Sequence, residues 1–287
     1  MVGFLLSVIR EREAENTCHC APSVRKVCLR SFLSLIILGC SCGIARAQKA
    51  VRLVHVFVAL ADNAHQRIVP VPAALGNGED AGRNLYWGAA FGVRTFFRKS
   101  GEWKEIAVVE NPNSYVLERS VFLHEASGTY LIADGYRGRE IKETIYDFFR
   151  AAAGQDPEIG EIKTKGGEKR VRVPSRTSLA VYVGHDGLMD FALEKTFQGV
   201  GEEKREAMVL ACASKSYFAA GLRPTGAQPV LWTTGLMAPE AYTLKAAVEG
   251  WIAGERGEKI RERAAGAYSK YQKIGLAGAQ RLFASGW

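Results

Sequence analysis

The stretch Val51-Arg-Leu-Val-His-Val-Phe-Val-Ala-Leu60 is almost entirely apolar, and it is followed by Ala61 and the polar pair Asp62-Asn63. Four more short apolar runs occur along the chain, each ending in turn or small polar residues: Tyr130–Ala133, Leu179–Val183, Ala207–Leu210 and Val230–Trp232. Continuous hydrophobicity over so few residues is typical of strands buried on both faces of a parallel sheet. We therefore predict five strands of one such sheet.

Helical periodicity follows most of these runs. The apolar positions Leu85, Ala89, Val93 and Phe96 share one face of a predicted helix, as do Ile141, Ile145, Phe148 and Ala152 in a second, with further helices at Ser216–Leu222 and from Pro239 to about Trp251. Strands that alternate with helices predict right-handed crossovers. The expected fold class is α/β, a three-layer sandwich with a mainly parallel sheet.

A loop and two hairpins are predicted as insertions between these strands and helices, within a single domain, residues 48–287. Ala61–Arg83 is a long loop rich in Gly, Pro, Asn and Asp. Trp103–Gly128 and Ile159–Val173 are predicted as β-hairpins, with turns at Pro112-Asn113 and Gly166-Gly167. The tail, residues 255–287, is predicted to be helical.

Residues 1–47 are interpreted as a signal segment. Arg25, Lys26 and Arg30 precede the apolar run Ser31–Cys40, and Ala45-Arg46-Ala47 has the small-x-small pattern of a signal peptidase site. The mature chain would begin at Gln48 and be periplasmic or secreted. Because the run is shorter than the ~20 residues that cross a bilayer, no stable membrane span is expected after processing. The alternatives are a transmembrane anchor and a lipid anchor at Cys40, since Ile37-Leu-Gly-Cys40 resembles a lipobox.

The cysteines and the distribution of charge limit the classes of function to be considered. Five of the six cysteines lie in the segment to be removed, which leaves Cys212 alone in an oxidising compartment where structural cysteines come in pairs. A lone cysteine is either a buried small hydrophobe or a reactive thiol. The net charge of +8 is not concentrated in a basic arm, so no nucleic-acid partner is expected.

The carboxyl ends of the five predicted strands are where ligands bind in an open parallel sheet. Asp62, Asp134, His185, Cys212 and Thr233 occupy those ends, and they are expected to share one cleft beside the 61–83 loop. Neighbouring strands lie ~4.8 Å apart, so His185 and Cys212 would reach one substrate carbonyl. A thiolate nucleophile beside an imidazole is the arrangement that cysteine hydrolases need.

Two segments of the chain carry a resemblance to a known family. Val181-Tyr-Val-Gly-His185-Asp-Gly187, followed by Met208-Val-Leu-Ala-Cys212, resembles the signature of caspase-like cysteine peptidases, a strand ending in His-Gly and then a strand ending in Ala-Cys. The resemblance implies a caspase-like or flavodoxin-like topology, His185 and Cys212 as the catalytic pair, and the amides of Gly187 and Cys212 as the oxyanion hole. Here Asp186 separates the histidine from the glycine, which lengthens that turn by one residue.

The expected function is an exported cysteine peptidase that acts on a peptide or protein, without a cofactor or a metal. Asp62, Asp134 and Thr233 are the expected substrate-binding residues. One alternative is a non-catalytic binding domain of the same fold. Another is a metal-dependent hydrolase that uses Asp62, Asp134 and Asp186, because carboxylates suit a divalent cation.

Overall fold

The computed structural model describes residues 51–163 and 170–287, and most of the strands in these residues belong to one sheet. In chain order the strands are β1 (Leu53–Ala59), β2 (Trp103–Glu110), β3 (Val116–His124), β4 (Thr129–Tyr136), β5 (Glu161–Lys163), β6 (Arg170–Arg172), β7 (Leu179–Val183), β8 (Glu206–Leu210), β9 (Gln228–Thr233) and β10 (Phe283–Ala284). All except β5 and β6 form an eight-stranded sheet of order β10-β9-β8-β7-β1-β4-β3-β2. The five predicted strands are confirmed as β1, β4, β7, β8 and β9.

The middle of the sheet is parallel. β1 lies between β4 and β7, β7 pairs with β8, and β8 pairs with β9, all in parallel. All seven residues of β1 are buried, which explains its unbroken apolar sequence. The fold is therefore α/β with a large, mainly parallel sheet.

Helices cover both faces of the sheet. They are α1 (Val93–Arg98), α2 (Ile141–Ala153), α3 (Ser214–Leu222), α4 (Ala241–Ile252), α5 (Glu258–Gln272) and α6 (Leu276–Leu282). Residues of α1, α4 and α5 pack with Val54, Val56 and Val58 in one core, whereas α2 and α3 pack with Phe57 in another. Alternate residues of β1 thus point into two separate helical layers.

Two helix predictions need correction. The helix expected from Leu85 begins only at Val93, because residues 85–92 form turns and Gly92 lies against the backbone of Trp87, where no side chain would fit. The helix expected from Pro239 begins at Ala241, with Glu240 as its N-cap in extended conformation.

Both predicted hairpins are present in the described residues. β2 and β3 pair in antiparallel fashion, and β3 also pairs with β4. This hairpin therefore adds two strands to the main sheet instead of forming a separate insertion. β5 and β6 form a separate antiparallel pair, whose predicted turn lies outside the described residues. The tail contains α5 and α6, as expected, and then β10, which pairs with the edge of β9.

The described residues all fall in one compact unit, Gln48–Trp287. The predicted signal segment, residues 1–47, and the alternative anchor at Cys40 lie outside the described residues. Among the helices in 51–163 and 170–287, none has the length and apolar character needed to span a membrane.

Candidate active site

The candidate site lies where β7 and β8 end side by side. Val183 pairs with Leu210 in register, and each strand is followed by one residue and then by His185 or Cys212. The amide of Gly184 donates to the carbonyl of Leu210 (3.3 Å), so the two chains stay together past the strand ends. His185 and Cys212 therefore occupy matched positions, and both line one cavity of about 410 Å³.

Gly184 places the histidine. Its φ of +149° belongs to a region that side-chain-bearing residues rarely adopt, and a Cβ there would lie 2.9 Å from the carbonyl oxygen of Ala59 in β1. The chain can pass this close to β1 only because the residue before His185 is glycine.

A strained turn places the cysteine. Ala213 has φ +46° and ψ +30°, a left-handed conformation that is unfavourable for a residue with a Cβ. Its amide donates to the carbonyl of Gly235 (2.8 Å), which anchors the turn to the loop after β9. The chain thus reverses sharply from β8 into α3, and Cys212 remains at the sheet edge.

The Cys212 sulfur contacts the main chain of Met237. The Met237 amide donates to Sγ (3.4 Å), and the thiol in turn lies 3.5 Å from the Met237 carbonyl oxygen. A backbone N–H directed at sulfur stabilises negative charge on it. The side chain is partly exposed and lines the cavity.

His185 is oriented by a carboxylate that the sequence analysis missed. Its Nε2 lies 2.7 Å from Oδ2 of Asp190, and Nε2 must donate because a carboxylate only accepts. A single 3-10 turn, Gly187–Met189, brings Asp190 back toward the ring. The sequence feature that could have predicted this contact is an acidic residue three positions after Gly187.

Asp186, between His185 and Gly187, points into the protein. Its Oδ1 accepts a hydrogen bond from the Leu188 amide (3.0 Å), and Oδ2 has no partner among the described residues. Burial raises the pKa of Asp186 to about 7, and the nearby charge of Asp190 adds to the effect. The extra residue of this turn is therefore a carboxyl group that titrates near neutral pH.

The expected oxyanion donor at Gly187 is engaged elsewhere. Its amide donates to the carbonyl of His185 (3.0 Å), and that carbonyl also accepts from the Tyr182 hydroxyl (2.6 Å). The turn that Asp186 lengthens is thus held by a hydrogen bond within the turn, and the Gly187 amide is not directed at the cavity through a free N–H. The amide of Cys212, the other expected donor, lies beside Sγ at the start of the strained turn.

Asp62 organises its own loop. Its Oδ1 accepts from the amides of Ala64 and His65, and its Oδ2 lies 2.9 Å from Nδ1 of His65. The side chain is buried and does not line the cavity with Cys212. The loop itself does reach that cavity, through four residues, Arg67, Ile68, Val69 and Val71.

Asp134 belongs to a second polar cluster. Arg119 donates to it through Nε (2.6 Å) and Nη2 (2.7 Å), and His55 contacts it through Nε2 (2.9 Å). Burial alone would raise the pKa of Asp134, but the Arg119 guanidinium and His55 hold it well below its usual range. The cluster lines a different cavity, of about 490 Å³, together with Tyr136.

Thr233 is a structural residue of the strained turn. Its hydroxyl donates to the Ala211 carbonyl and accepts from the Ser214 amide (3.2 Å), and the side chain is buried. The structure therefore brings His185 and Cys212 together and leaves Asp62, Asp134 and Thr233 outside their cavity. This corrects the single cleft expected for all five.

The three aspartates of the alternative metal site do not lie together. Asp62, Asp134 and Asp186 are each engaged or buried in a different environment. No cluster of three or more His, Cys, Asp or Glu side chains suited to a metal ion occurs in 51–163 and 170–287.

Comparisons with models of protein families, with curated proteins and with solved structures find no match for this chain.

Proposed function

We propose that this protein is an exported cysteine hydrolase, a peptidase of caspase-like type. Cys212 is the nucleophile and His185 is its proton-transfer partner. The observation that carries the proposal is their matched position at the ends of two adjacent parallel strands, in the wall of one cavity. The cavity lies beyond the carboxyl ends of the strands, which is where open α/β sheets bind ligands.

The chemistry follows from the contacts. The Cys212 thiolate attacks a peptide carbonyl, forming a C–S bond and a tetrahedral oxyanion. Asp190 holds Nε2 of His185, which leaves Nδ1 to take the proton of the Cys212 thiol and to donate it to the leaving amine as the C–N bond breaks. Water, deprotonated by the same nitrogen, then hydrolyses the thioester and frees Cys212. Asp190 is a positioning residue, since it stabilises the proton-bearing ring.

A different amide takes the place of Gly187 in this scheme. The Met237 N–H lies 3.4 Å from Sγ, within reach of an oxygen on a carbon bonded to that sulfur. With the Cys212 amide it would form the oxyanion hole.

The strand order supports the finer topology. Along the parallel part of the sheet the order is β4-β1-β7-β8-β9, which numbers 2-1-3-4-5 by position in the chain. That is the doubly wound order of flavodoxin-like folds, in which ligands bind beyond the carboxyl ends near the strand where the order reverses. β7, which carries His185, borders that strand.

The export part of the proposal is supported by the apolar run before Ala45-Arg46-Ala47 and by the lone cysteine of the region after it. N-terminal sequencing of protein recovered from the envelope or medium should read from Gln48. A chain that starts at an acylated Cys40 would instead establish the lipid-anchored form.

The second candidate function is a non-catalytic domain that binds peptides in the same cavity. One observation favours it, namely that the Gly187 amide is bonded to His185 and is not free for an oxyanion. Thiol reactivity separates the two candidates.

The test is alkylation of the native protein by iodoacetamide at pH 6.5, with the modified site identified by peptide mapping. We expect rapid modification of Cys212, at least 10-fold slower modification in His185→Ala, and no change in His65→Ala, which removes an exposed histidine of the neighbouring loop. Cys212→Ala should abolish peptidase or esterase activity while the protein stays folded. If Cys212 reacts only after denaturation, the binding domain is the correct function.

A further inference from the structure

The cavity beside Cys212 is walled mainly by apolar side chains. They come from three loops: Ile68 and Val69 after β1, Met189 after β7, and Leu236 and Met237 after β9. Val69 is 86% and Leu236 76% exposed, so apolar surface continues to the mouth of the cavity. Apolar side chains gathered from separate loops around one opening are typical of a surface that binds apolar groups.

The charged groups around this cavity do not select a charged substrate. Among the described residues that line it, the acidic and basic side chains other than His185 are Glu240 and Arg67. Glu240 accepts hydrogen bonds from the Tyr242 hydroxyl (2.9 Å) and from Gln272 (3.1 Å), and burial raises its pKa. Arg67 is exposed to water, where a single ion pair contributes little.

A charged substrate side chain would therefore lose its water in this cavity and gain little in return. An apolar side chain would gain from leaving water. The volume of about 410 Å³ lies within the usual range of ligand pockets, about 300–1,000 Å³. Burial also raises the pKa of Tyr86 above its usual range, so the Tyr86 hydroxyl adds no charge to this wall.

We propose that the enzyme cleaves peptides after an apolar residue. The residue that supplies the attacked carbonyl would place an aliphatic or aromatic side chain between the 68–71 and 236–239 loops. This inference rests on the proposed hydrolase function of the same site, and Val69 and Leu236 are its specificity-determining residues.

The experiment uses fluorogenic peptides that differ only at the residue before the scissile bond, which is Leu, Phe, Arg or Asp. We expect kcat/KM for Leu and Phe to exceed that for Arg and Asp by roughly 10- to 100-fold. Leu236→Asp and Val69→Asp should each lower the Leu-to-Arg ratio by about 10-fold. Ile274→Asp is the matched control, because Ile274 is 49% exposed and lies outside the cavity lining.

Each other outcome overturns the inference in a distinguishable way. Turnover that depends on Cys212 but favours Arg or Asp refutes the apolar specificity and keeps the hydrolase. An apolar preference that neither variant changes refutes the assignment of the pocket. If no peptide is cleaved, the inference fails, and the iodoacetamide reaction of Cys212 decides separately whether the proposed function fails too.

Discussion

At the scale of single residues, the site depends on the carboxylate that orients His185. Asp190→Asn keeps the shape of the side chain and an acceptor for Nε2, but removes the charge that stabilises a doubly protonated ring. We expect kcat to fall by roughly 100-fold while KM changes less than about threefold, because Asp190 does not line the cavity proposed to bind the substrate. Steady-state kinetics checks this, with Asp186→Asn as the neighbouring-carboxyl control. An effect confined to KM would place Asp190 in substrate binding.

Asp186 makes the stability of the protein depend on pH. Its pKa of about 7 in the folded chain lies above the ~3.9 of an unfolded aspartate, so the folded state binds its proton more tightly. The free energy of unfolding should therefore decrease as pH rises from about 4 to about 7, by an amount on the order of 3 kcal/mol. Asp186→Asn should remove this decrease, which urea unfolding at pH 5 and pH 8 would show. An equal decrease in the variant would assign it to other groups.

The residues of the site were predictable only in part. His185 and Cys212 follow apolar strands directly, so their place at the sheet edge could be inferred from sequence. Asp134 lies inside β4, opposite Phe57, and its partner Arg119 comes from a strand that only the three-dimensional fold brings near. Thr233 lies at the end of its strand, as predicted, but its hydroxyl is hydrogen-bonded to the main chain of the adjacent turn. Sequence patterns give position along a strand, whereas hydrogen-bond partners depend on tertiary structure.

At the scale of elements, the two turns that carry His185 and Cys212 should respond in opposite ways to an exchange between glycine and alanine. Gly184→Ala should lower the free energy of unfolding by about 2 kcal/mol or more, because the new Cβ meets the backbone of β1. Ala213→Gly should be neutral or stabilising by up to about 1 kcal/mol, since glycine adopts the left-handed conformation without strain. Chemical denaturation measures both.

The control for these variants is Gly266→Ala, at an exposed position inside α5 where a Cβ has open space. It should stabilise the protein by about 0.5–1 kcal/mol. If Gly184→Ala behaved like this control, the close approach to β1 would not constrain the site.

The elements themselves were largely predictable. Short apolar runs identified all five parallel strands, because strands buried on both faces leave little room for polar residues. The turns at residues 85–92 could not be predicted, since the apolar periodicity there is typical of a helix. The buried side chain of Asn84 bonds to both the amide and the carbonyl of Ala61 and accepts from the amide of Tyr86, which fixes a turn where the helix was expected to begin. β10 was also missed, because two residues carry no pattern.

At the scale of the whole molecule, the C-terminal strand closes one edge of the sheet. β10 pairs with β9, Phe283 is buried, and Trp287 packs edge-on against Trp232 with ring centroids 5.5 Å apart. A chain that ends at Leu282 should lose about 3 kcal/mol of stability and self-associate through the exposed edge of β9.

Sedimentation and chemical denaturation would check this prediction, with Trp287→Ala as the variant that keeps β10. A truncated protein that stays monomeric would show that the edge of β9 is protected by other means.

The central position of β1 also determines when the chain can fold. β1 pairs with β7, and Leu53 and Ser178, which meet at the start of these strands, are 125 residues apart in the chain. At the usual synthesis rate of about 5–20 residues per second, at least ~6 seconds separate the emergence of the two strands from the ribosome. During that interval the edge of β1 that pairs with β7 has no native partner, although every residue of this strand is buried in the folded protein. The proposed export, through an apparatus that threads unfolded chains, would therefore precede closure of the sheet.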